Sequence, residues 1–256
     1  MLTLSKEKRL EKRFNRIKER DIPKHIGIIL DGNGRWAKKR GLPRIMGHAQ
    51  GIKRIEMLIP EVKRLGVKVL TIFTFSTENW NRPNEEVNFI MNEAQKIYEK
   101  MINNVSKLGY NVRVIGEQPL NHPELTEKIK KLNDLGNNNE DFTLCIAFNY
   151  GSQKEIINAT KKLCQLVKND VLDIEDINED SFEKELYTND LPPVDLLIRT
   201  SGEMRISNFL LWQISYAEMY FPKVYWPDFD RTKLYDALEE YQKRSRRFGK
   251  IGESNA

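Results

Sequence analysis

Short apolar runs that alternate with amphipathic stretches are the feature that most constrains the fold of this chain. Strand-like runs occupy residues 25–30, 67–75, 111–116, 142–148 and 194–199, with a shorter one expected near 223–226. Several are apolar on consecutive positions, as in strands covered on both faces. Helical periodicity occurs at residues 47–65, 84–107, 122–135, 152–168 and 231–247. This alternation predicts an α/β fold with a mostly parallel central sheet of about six strands flanked by helices.

No repeat, low-complexity tract or long linker divides the 256 residues. We therefore predict a single domain over residues 21–256, preceded by a basic helix or arm at residues 1–20. No apolar run approaches the 18 residues of a spanning helix, and the N-terminus lacks the apolar core of a signal peptide. We expect a cytosolic protein, with contact to a membrane surface left open.

The chain is basic, with a formal net charge of +5 and an isoelectric point near 9.0. Such a balance favours anionic partners: nucleic acid, anionic lipid or phosphorylated small molecules. Nucleic-acid binding would need a basic stripe with aromatic residues or a known motif, and we find neither, so we expect no nucleic-acid partner. Cys145 and Cys164 sit in apolar patterns, which predicts buried free thiols and no zinc site.

The residues that follow the apolar runs are polar or rich in glycine. Ligands of open parallel sheets bind outside the carboxyl ends of the strands, so these residues are the candidates for a site. They are the segments at 31–35, 76–80, 149–151 and 199–203. Their convergence is the strongest physical indication of function in the sequence.

The first of these segments, "DGNGR", indicates an anion site. Glycine lets backbone N–H groups approach an anion, and Arg35 offers a guanidinium fork to phosphate oxygens. An acid beside a phosphate site indicates a bridging cation, and oxygen ligands with phosphate suit Mg²⁺, so Asp31 is the candidate ligand. An Asp that only caps the turn is the alternative. Neither GxGxxG nor a P-loop is present.

Three further stretches extend the candidate site. Arg44 and His48 lie at a helix start, close enough along the chain to face the same ligand. "FTFSTENWNRP" (73–83) places polar residues and a tryptophan at a strand end, which suits an apolar ligand with a polar head. "DLLIRTSGEMRIS" (195–207) carries two arginines that fit a second phosphate group. Glu218 lies in an apolar run, where a carboxylate needs a partner or a cation.

Together these motifs, with "HIGIILDGNGRWA" and "SNFLLWQISYAEMYF…WPDF", resemble the cis-prenyltransferase family, in particular its isoprenyl transferase (undecaprenyl diphosphate synthase) type. The resemblance runs from about residue 25 to residue 249. It implies sequential cis condensation of isopentenyl diphosphate with an allylic diphosphate, giving a polyprenyl diphosphate of undecaprenyl type or shorter. It further implies a Mg²⁺-dependent homodimer with an apolar substrate tunnel.

The resemblance also implies the roles of individual residues. Asp31 and Glu218 match the magnesium ligands, and Asp31 and Asn79 match the catalytic residues. Because an amide is a poor base, the released diphosphate, positioned by Asn79, is an alternative proton acceptor. The residues matched to substrate binding are Gly32, Asn33, Gly34, Arg35, Trp36, Arg44, His48, Ser76, Thr77, Glu78, Trp80, Arg82, Arg199, Arg205, Ile206 and Ser207. Arg246 and Gly249 match a segment that reaches a diphosphate site.

The chain departs from the family pattern at Thr74 and Phe148, where small residues are common, and at the polar helix positions Asn92, Glu93 and Gln95. If these side chains face the tunnel, they shorten it, so we also consider a short-chain synthase. A non-catalytic partner subunit is less favoured because the acid and the arginines remain. Trans-prenyl synthesis would need DDxxD motifs, which are absent. The basic N-terminal segment is interpreted first as a solvated helix face, with an anionic membrane as the alternative.

Overall fold

In the computed structural model, which describes residues 2–119, 121–135 and 141–244, six strands form one parallel sheet. The strand order is β3-β4-β2-β1-β5-β6, and every pair is parallel. The strands are His25–Ile29 (β1), Val69–Ser76 (β2), Asn111–Ile115 (β3), Thr143–Tyr150 (β4), Leu196–Arg199 (β5) and Glu218–Tyr220 (β6). The predicted fold class is confirmed.

The five helical stretches that the sequence predicted after the strands are present, most with shifted ends, whereas the short helices at residues 33–38 and 179–183 were not predicted. The helix bounds are Leu2–Lys18 (α1), Asn33–Lys38 (α2), Arg44–Leu65 (α3), Asn84–Asn103 (α4), Val105–Leu108 (α5), Pro123–Leu135 (α6), Ser152–Lys168 (α7), Glu179–Glu183 (α8) and Arg231–Tyr241 (α9). α3 begins after Pro43 and ends at Gly66, whose φ of 94° a glycine adopts without strain. α4 likewise begins after a proline, Pro83.

The sixth strand does not lie at 223–226, where the sequence predicted it. It lies at Glu218–Tyr220, and residues 223–226 instead form hydrogen bonds with two loops that are distant in sequence. The Ser201 amide donates to the Val224 carbonyl at 2.8 Å, and the Trp226 amide donates to the Asp31 carbonyl at 3.0 Å. Their backbone groups are therefore used by the loops of the candidate site and not by a strand ladder.

Side chains from the two faces of the sheet enter two apolar clusters. The larger one joins alternate strand residues such as Ile28, Ile72 and Ile146 to residues of α1, α3, α4, α6 and α9. The smaller one, on the other face, joins Val69, Phe73 and Leu197 among others to buried side chains of the 209–214 segment. The two clusters explain why the strand sequences are apolar on consecutive positions.

The amphipathic helix α1 packs on the same larger cluster through Leu10, Phe14 and Ile17. Its basic side chains are partly paired: Arg13 contacts Asp236 at 2.8 Å and Glu239 at 2.9 Å. The division into a basic segment at 1–20 and a domain at 21–256 stays a prediction. No described helix is long and apolar enough to cross a membrane.

The two cysteines differ in exposure, so the prediction of two buried thiols is wrong for one of them. Cys145 on β4 is fully buried, whereas Cys164 on α7 is exposed. Helical periodicity places Cys164 next to the buried Leu163 but on the solvent side of the helix.

Candidate active site

The candidate site forms where β1 and β5 end side by side. Ile29 pairs with Arg199 in the sheet register, so the loops that follow the two strands leave the same edge. The Asp31 carbonyl accepts from the Thr200 hydroxyl at 2.6 Å and from the Trp226 amide at 3.0 Å. Two segments that are distant in sequence thereby fix the backbone of Asp31.

The glycine-rich turn is shaped by close contacts that exclude larger side chains. Gly32 has a φ of 105°, and a Cβ there would lie 2.2 Å from the Ser201 hydroxyl oxygen. A Cβ on Gly34 would lie 2.9 Å from the guanidinium carbon of Arg44, so this guanidinium lies directly over the turn. The glycines at these positions let cationic groups and neighbouring loops approach the backbone.

Charged side chains alternate in sign along the mouth of the site. Asp31 Oδ1 is 3.0 Å from Arg35 Nη2, and Asp31 Oδ2 is 3.0 Å from Arg199 Nη2. Glu203 then bridges Arg35 at 2.5 Å and Arg205 at 2.6 Å. Burial raises the pKa of Asp31, but the hydrogen bonds from Arg199 and Arg35 outweigh it and hold that pKa below its usual value. Asp31 is therefore a carboxylate at neutral pH.

Arg199 is the buried cation of this array, with only 5% of its surface exposed. Its Nη1 donates to the Ser207 hydroxyl at 2.7 Å and to the Arg205 carbonyl, while its Nη2 bonds to Asp31. Its Nε has no hydrogen-bond partner in the described part of the chain. A buried guanidinium with a spare donor at a cavity wall is suited to bind an anion.

A second cationic group lies across the turn, on α3 and in the loop before α4. Arg44, His48 and Arg82 all bind one buried carboxylate, Glu86 of α4. Arg44, His48 and Arg82 were predicted from the sequence as substrate-binding residues, whereas Glu86 was not.

The segment after β2 forms a 3₁₀ helix, Thr77–Asn81. The Asn79 side-chain oxygen accepts from the Ser76 amide at 3.1 Å, which fixes Asn79 at the start of this helix. Glu78 accepts from the Asn208 side chain at 2.9 Å, which links the segment to the loop after β5. Ser76, Glu78 and Asn79 are thus held beside the Arg199 loop.

These groups stand at the head of a cavity of about 1160 Å³. Fourteen of the predicted residues line it: Asp31, Gly32, Asn33, Gly34, Arg35, Arg44, His48, Ser76, Glu78, Asn79, Arg82, Arg199, Arg205 and Ser207. Away from this polar head, most of the wall is apolar and comes from α3, α4, β2 and β4, with residues such as Ile55, Ile90, Ile97, Met101 and Ile146. The cavity has the form that an apolar chain with an anionic head requires.

Four predicted substrate-binding residues are not part of the cavity wall: Trp36, Thr77, Trp80 and Ile206. The Trp36 indole donates to Asp228 at 2.8 Å, and the Arg40 guanidinium lies over its ring. The Trp80 indole donates to the Asn149 side chain at 2.7 Å. These tryptophans brace the loops around the site, and their contact with substrate stays a prediction.

The two predicted magnesium ligands are not brought together within this chain. Glu218 pairs with Leu196 at the amino end of β5, whereas Asp31 follows the carboxyl end of β1. Glu218 does not line the cavity, and its Oε2 is 2.8 Å from Arg244 Nη1. A carboxylate in an apolar run needs a partner, and the partner of Glu218 is an arginine. Arg246 and Gly249 lie outside the described residues.

A comparison with family models matches residues 29–249 of this chain to "Prenyltransf: Putative undecaprenyl diphosphate synthase". The chain belongs to this prenyltransferase family. An isoprenyl transferase of Fusobacterium nucleatum is 48% identical over 91% of this chain and 98% of its own length. A ditrans,polycis-undecaprenyl-diphosphate synthase, (2E,6E)-farnesyl-diphosphate specific, of Haemophilus influenzae is 45% identical over 90% of this chain and 96% of its own.

Solved structures of prenyltransferases agree with the fold. Lavandulyl diphosphate synthase from Lavandula x intermedia, in complex with dimethylallyl diphosphate, aligns with a TM-score of 0.85 at 35% identity. The alignment covers 89% of this chain and 98% of the other. The resemblance inferred from the motifs is confirmed.

Three of the five positions where this prenyltransferase departs from the common pattern line the cavity. Thr74 and Phe148 both line it, as does Glu93 of α4, whereas Asn92 and Gln95 do not. Thr74 sits where the β2–β4 register shifts, and its hydroxyl donates to the Ala147 carbonyl at 3.0 Å. Sequence analysis missed Glu86, and it placed Glu203 in the candidate segment 199–203 without a role, since an acid close in sequence to an arginine ordinarily indicates only a surface ion pair.

Proposed function

We propose that this prenyltransferase condenses isopentenyl diphosphate repeatedly with an allylic diphosphate and builds a cis-polyprenyl diphosphate. The observation that carries the proposal is the joining of an arginine-rich head to one long apolar cavity. A diphosphate needs several cationic donors, and a growing hydrocarbon tail needs an apolar wall that excludes water. The names of the relatives in Haemophilus influenzae and Fusobacterium nucleatum agree with this reaction class.

Two anion subsites follow from the charge pattern. The glycine turn with Arg35 and Arg44 would hold the allylic diphosphate. Arg199, Arg205 and Ser207 would hold isopentenyl diphosphate on the other side of Asp31. Asp31 contacts both Arg35 and Arg199, so it lies at the boundary between the two subsites.

The chemistry follows from this arrangement. As the allylic C–O bond breaks, negative charge grows on the leaving diphosphate, and the guanidinium groups of the first subsite are already in place to stabilise it. The double bond of isopentenyl diphosphate then attacks the allylic carbon. Loss of a proton from the new intermediate would complete the step, and Asn79, which lines the cavity, would position the acceptor of that proton.

Mg²⁺ is the proposed cofactor, and Asp31 would hold it together with substrate phosphate oxygens. The described residues contain no group of three or more acids, histidines or cysteines able to hold a metal ion. A single carboxylate still fits, because Mg²⁺ in phosphoryl sites commonly takes one or two carboxylates and completes its shell with phosphate and water. When bound, the ion would neutralise the diphosphate as it leaves.

An assay with isopentenyl diphosphate and a series of allylic primers tests the proposal. We expect extension of at least one primer in the presence of Mg²⁺, and loss of extension when a chelator is added. A purified, folded protein that extends none of the primers would contradict the proposal. Extension that persists after removal of divalent cations would contradict only the assignment of the cofactor.

The cavity wall further suggests a product shorter than undecaprenyl diphosphate. Phe148 and Glu93 line the cavity. They would put bulk and a carboxylate beside an apolar tail, and burying a carboxylate without a partner is unfavourable. We expect Phe148→Ala and Glu93→Ala to lengthen the product, measured by mass spectrometry. Asn92→Ala is the matched control, because Asn92 is exposed and lies outside the wall. An undecaprenyl product from the unaltered protein would rule out the shortening.

We also propose a cytosolic homodimer that contacts membranes peripherally. The exposed basic residues of α1 support the membrane contact, because their charge suits an anionic lipid surface. Sedimentation velocity tests the dimer, and flotation with anionic and neutral vesicles tests the contact. A monomer, or equal binding to both vesicle types, would contradict the respective proposal.

A further inference from the structure

Glu86 is a buried carboxylate on which three cationic or ionisable groups converge. It lies in the first turn of α4 and exposes 5% of its surface. Its Oε2 is 3.0 Å from Arg44 Nε, and its Oε1 is 3.0 Å from His48 Nε2 and 3.1 Å from Arg82 Nη1. These partners come from α3 and from the segment before α4, so one carboxylate joins both sides of the cavity mouth.

The contacts use only part of each partner's hydrogen-bonding capacity. Glu86 binds Arg44 through Nε and Nη2, and it binds Arg82 through Nη1 alone. A guanidinium has five N–H donors, so donors remain on both arginines for a ligand in the cavity that they line. The Arg44 guanidinium also lies directly over Gly34, and the bond to Glu86 holds it there.

The charges of the cluster favour an incoming anion. Burial raises the pKa of Glu86, but the hydrogen bond from Arg44 and the charge of Arg82 outweigh it and hold that pKa below the usual value, so Glu86 is ionised. Burial lowers the pKa of His48, so its ring is mainly neutral at pH 7. Two guanidinium groups and one carboxylate leave a net charge of about +1 beside the glycine turn.

We propose that Glu86 is a positioning residue that holds Arg44, His48 and Arg82 in a preassembled clamp for the allylic diphosphate. The inference rests on the proposed function, since that function assigns the ligand. Without the carboxylate, Arg44 and Arg82 would repel each other and extend into solvent, and Arg44 is already 62% exposed at its side chain. The diphosphate would then have to gather mobile side chains on binding, which weakens its affinity.

Glu86→Gln is the decisive variant because it keeps the shape of the side chain and removes its charge. The amide nitrogen cannot accept from a guanidinium, so at least one of the three bonds is lost. We expect KM for the allylic diphosphate to rise about tenfold or more, and KM for isopentenyl diphosphate to change less than about twofold. Glu86→Asp keeps the charge and should recover part of the affinity. Glu85→Gln, an exposed neighbour, is the matched control.

A direct binding measurement separates this inference from the proposed function. Titration calorimetry with inorganic pyrophosphate should show weaker binding to Glu86→Gln than to the unaltered protein, whether or not either turns over. NMR titration should show a lower pKa for His48 in the variant, because Glu86 raises that pKa. Equal increases in both KM values, tighter pyrophosphate binding or an unchanged affinity would overturn the inference. Absence of turnover in the unaltered protein would contradict only the proposed function.

Discussion

Replacing Asp31 by asparagine keeps the size of the side chain and removes the negative charge between Arg35 and Arg199. Arg199 is then a buried cation whose remaining bonds go to neutral oxygens of Arg205 and Ser207. Removing one partner of a fully buried ion pair costs roughly 3–5 kcal/mol. Because 24% of the Asp31 side chain is exposed, water recovers part of this cost, and we expect roughly 2–3 kcal/mol.

That loss of stability is measurable. At roughly 2–4 °C per kcal/mol for a domain of this size, Asp31→Asn should lower the melting temperature by about 4–12 °C. Asp190→Asn is the control, because Asp190 also pairs with an arginine but is 61% exposed at its side chain, and it should cost about 1 kcal/mol or less. A melting temperature of Asp31→Asn equal to that of the control would refute the assignment of Asp31 as the counter-ion of Arg199.

The same variant should respond to pyrophosphate in opposite ways with and without magnesium. Without Mg²⁺, Asp31 repels the anion, so the variant should gain more stability from pyrophosphate than the unaltered protein does. With Mg²⁺, the carboxylate would hold the ion that binds pyrophosphate, so the unaltered protein should gain more stability than the variant. Thermal unfolding at a fixed pyrophosphate concentration, with Mg²⁺ or with a chelator, measures the stabilisation of both proteins. If the same protein is stabilised more under both conditions, Asp31 is not the magnesium ligand.

Two further predictions concern residues at the site and in the core. Asn79→Ala should lower turnover strongly with both substrates saturating, because Asn79 is fixed beside the cavity by the Ser76 amide; turnover near that of the unaltered protein would remove it from the mechanism. Burial lowers the pKa of His25 to about 4. The unfolded chain binds this proton near pH 6.5, so the free energy of unfolding should fall by roughly 3 kcal/mol as the pH drops from about 6.5 to 4. Urea unfolding at several pH values checks this, with a flatter dependence expected for His25→Gln.

The sequence alone predicted most of the sheet and most of the cavity head. Strands covered on both faces are apolar on consecutive positions, and a parallel sheet aligns their carboxyl ends at one edge. Residues directly after those strands, such as Asp31 and Ser76, could therefore be assigned to one site from the sequence alone. The sixth strand was misplaced because the hydrogen bonds of residues 223–226 go to loops that are distant in sequence.

Only the tertiary structure decided how the charges are paired. Nothing in the local sequence distinguishes Glu86 from its exposed neighbour Glu85, yet the packing of α3 against α4 buries one of them among three binding groups. The family resemblance matches Glu218 to a magnesium ligand, but the strand register places it at the amino end of β6, and its carboxylate pairs with Arg244. Hydrophobic periodicity is a local property that a sequence displays directly. The partner of a charge depends on distances between segments far apart in the chain, and only the folded chain sets those distances.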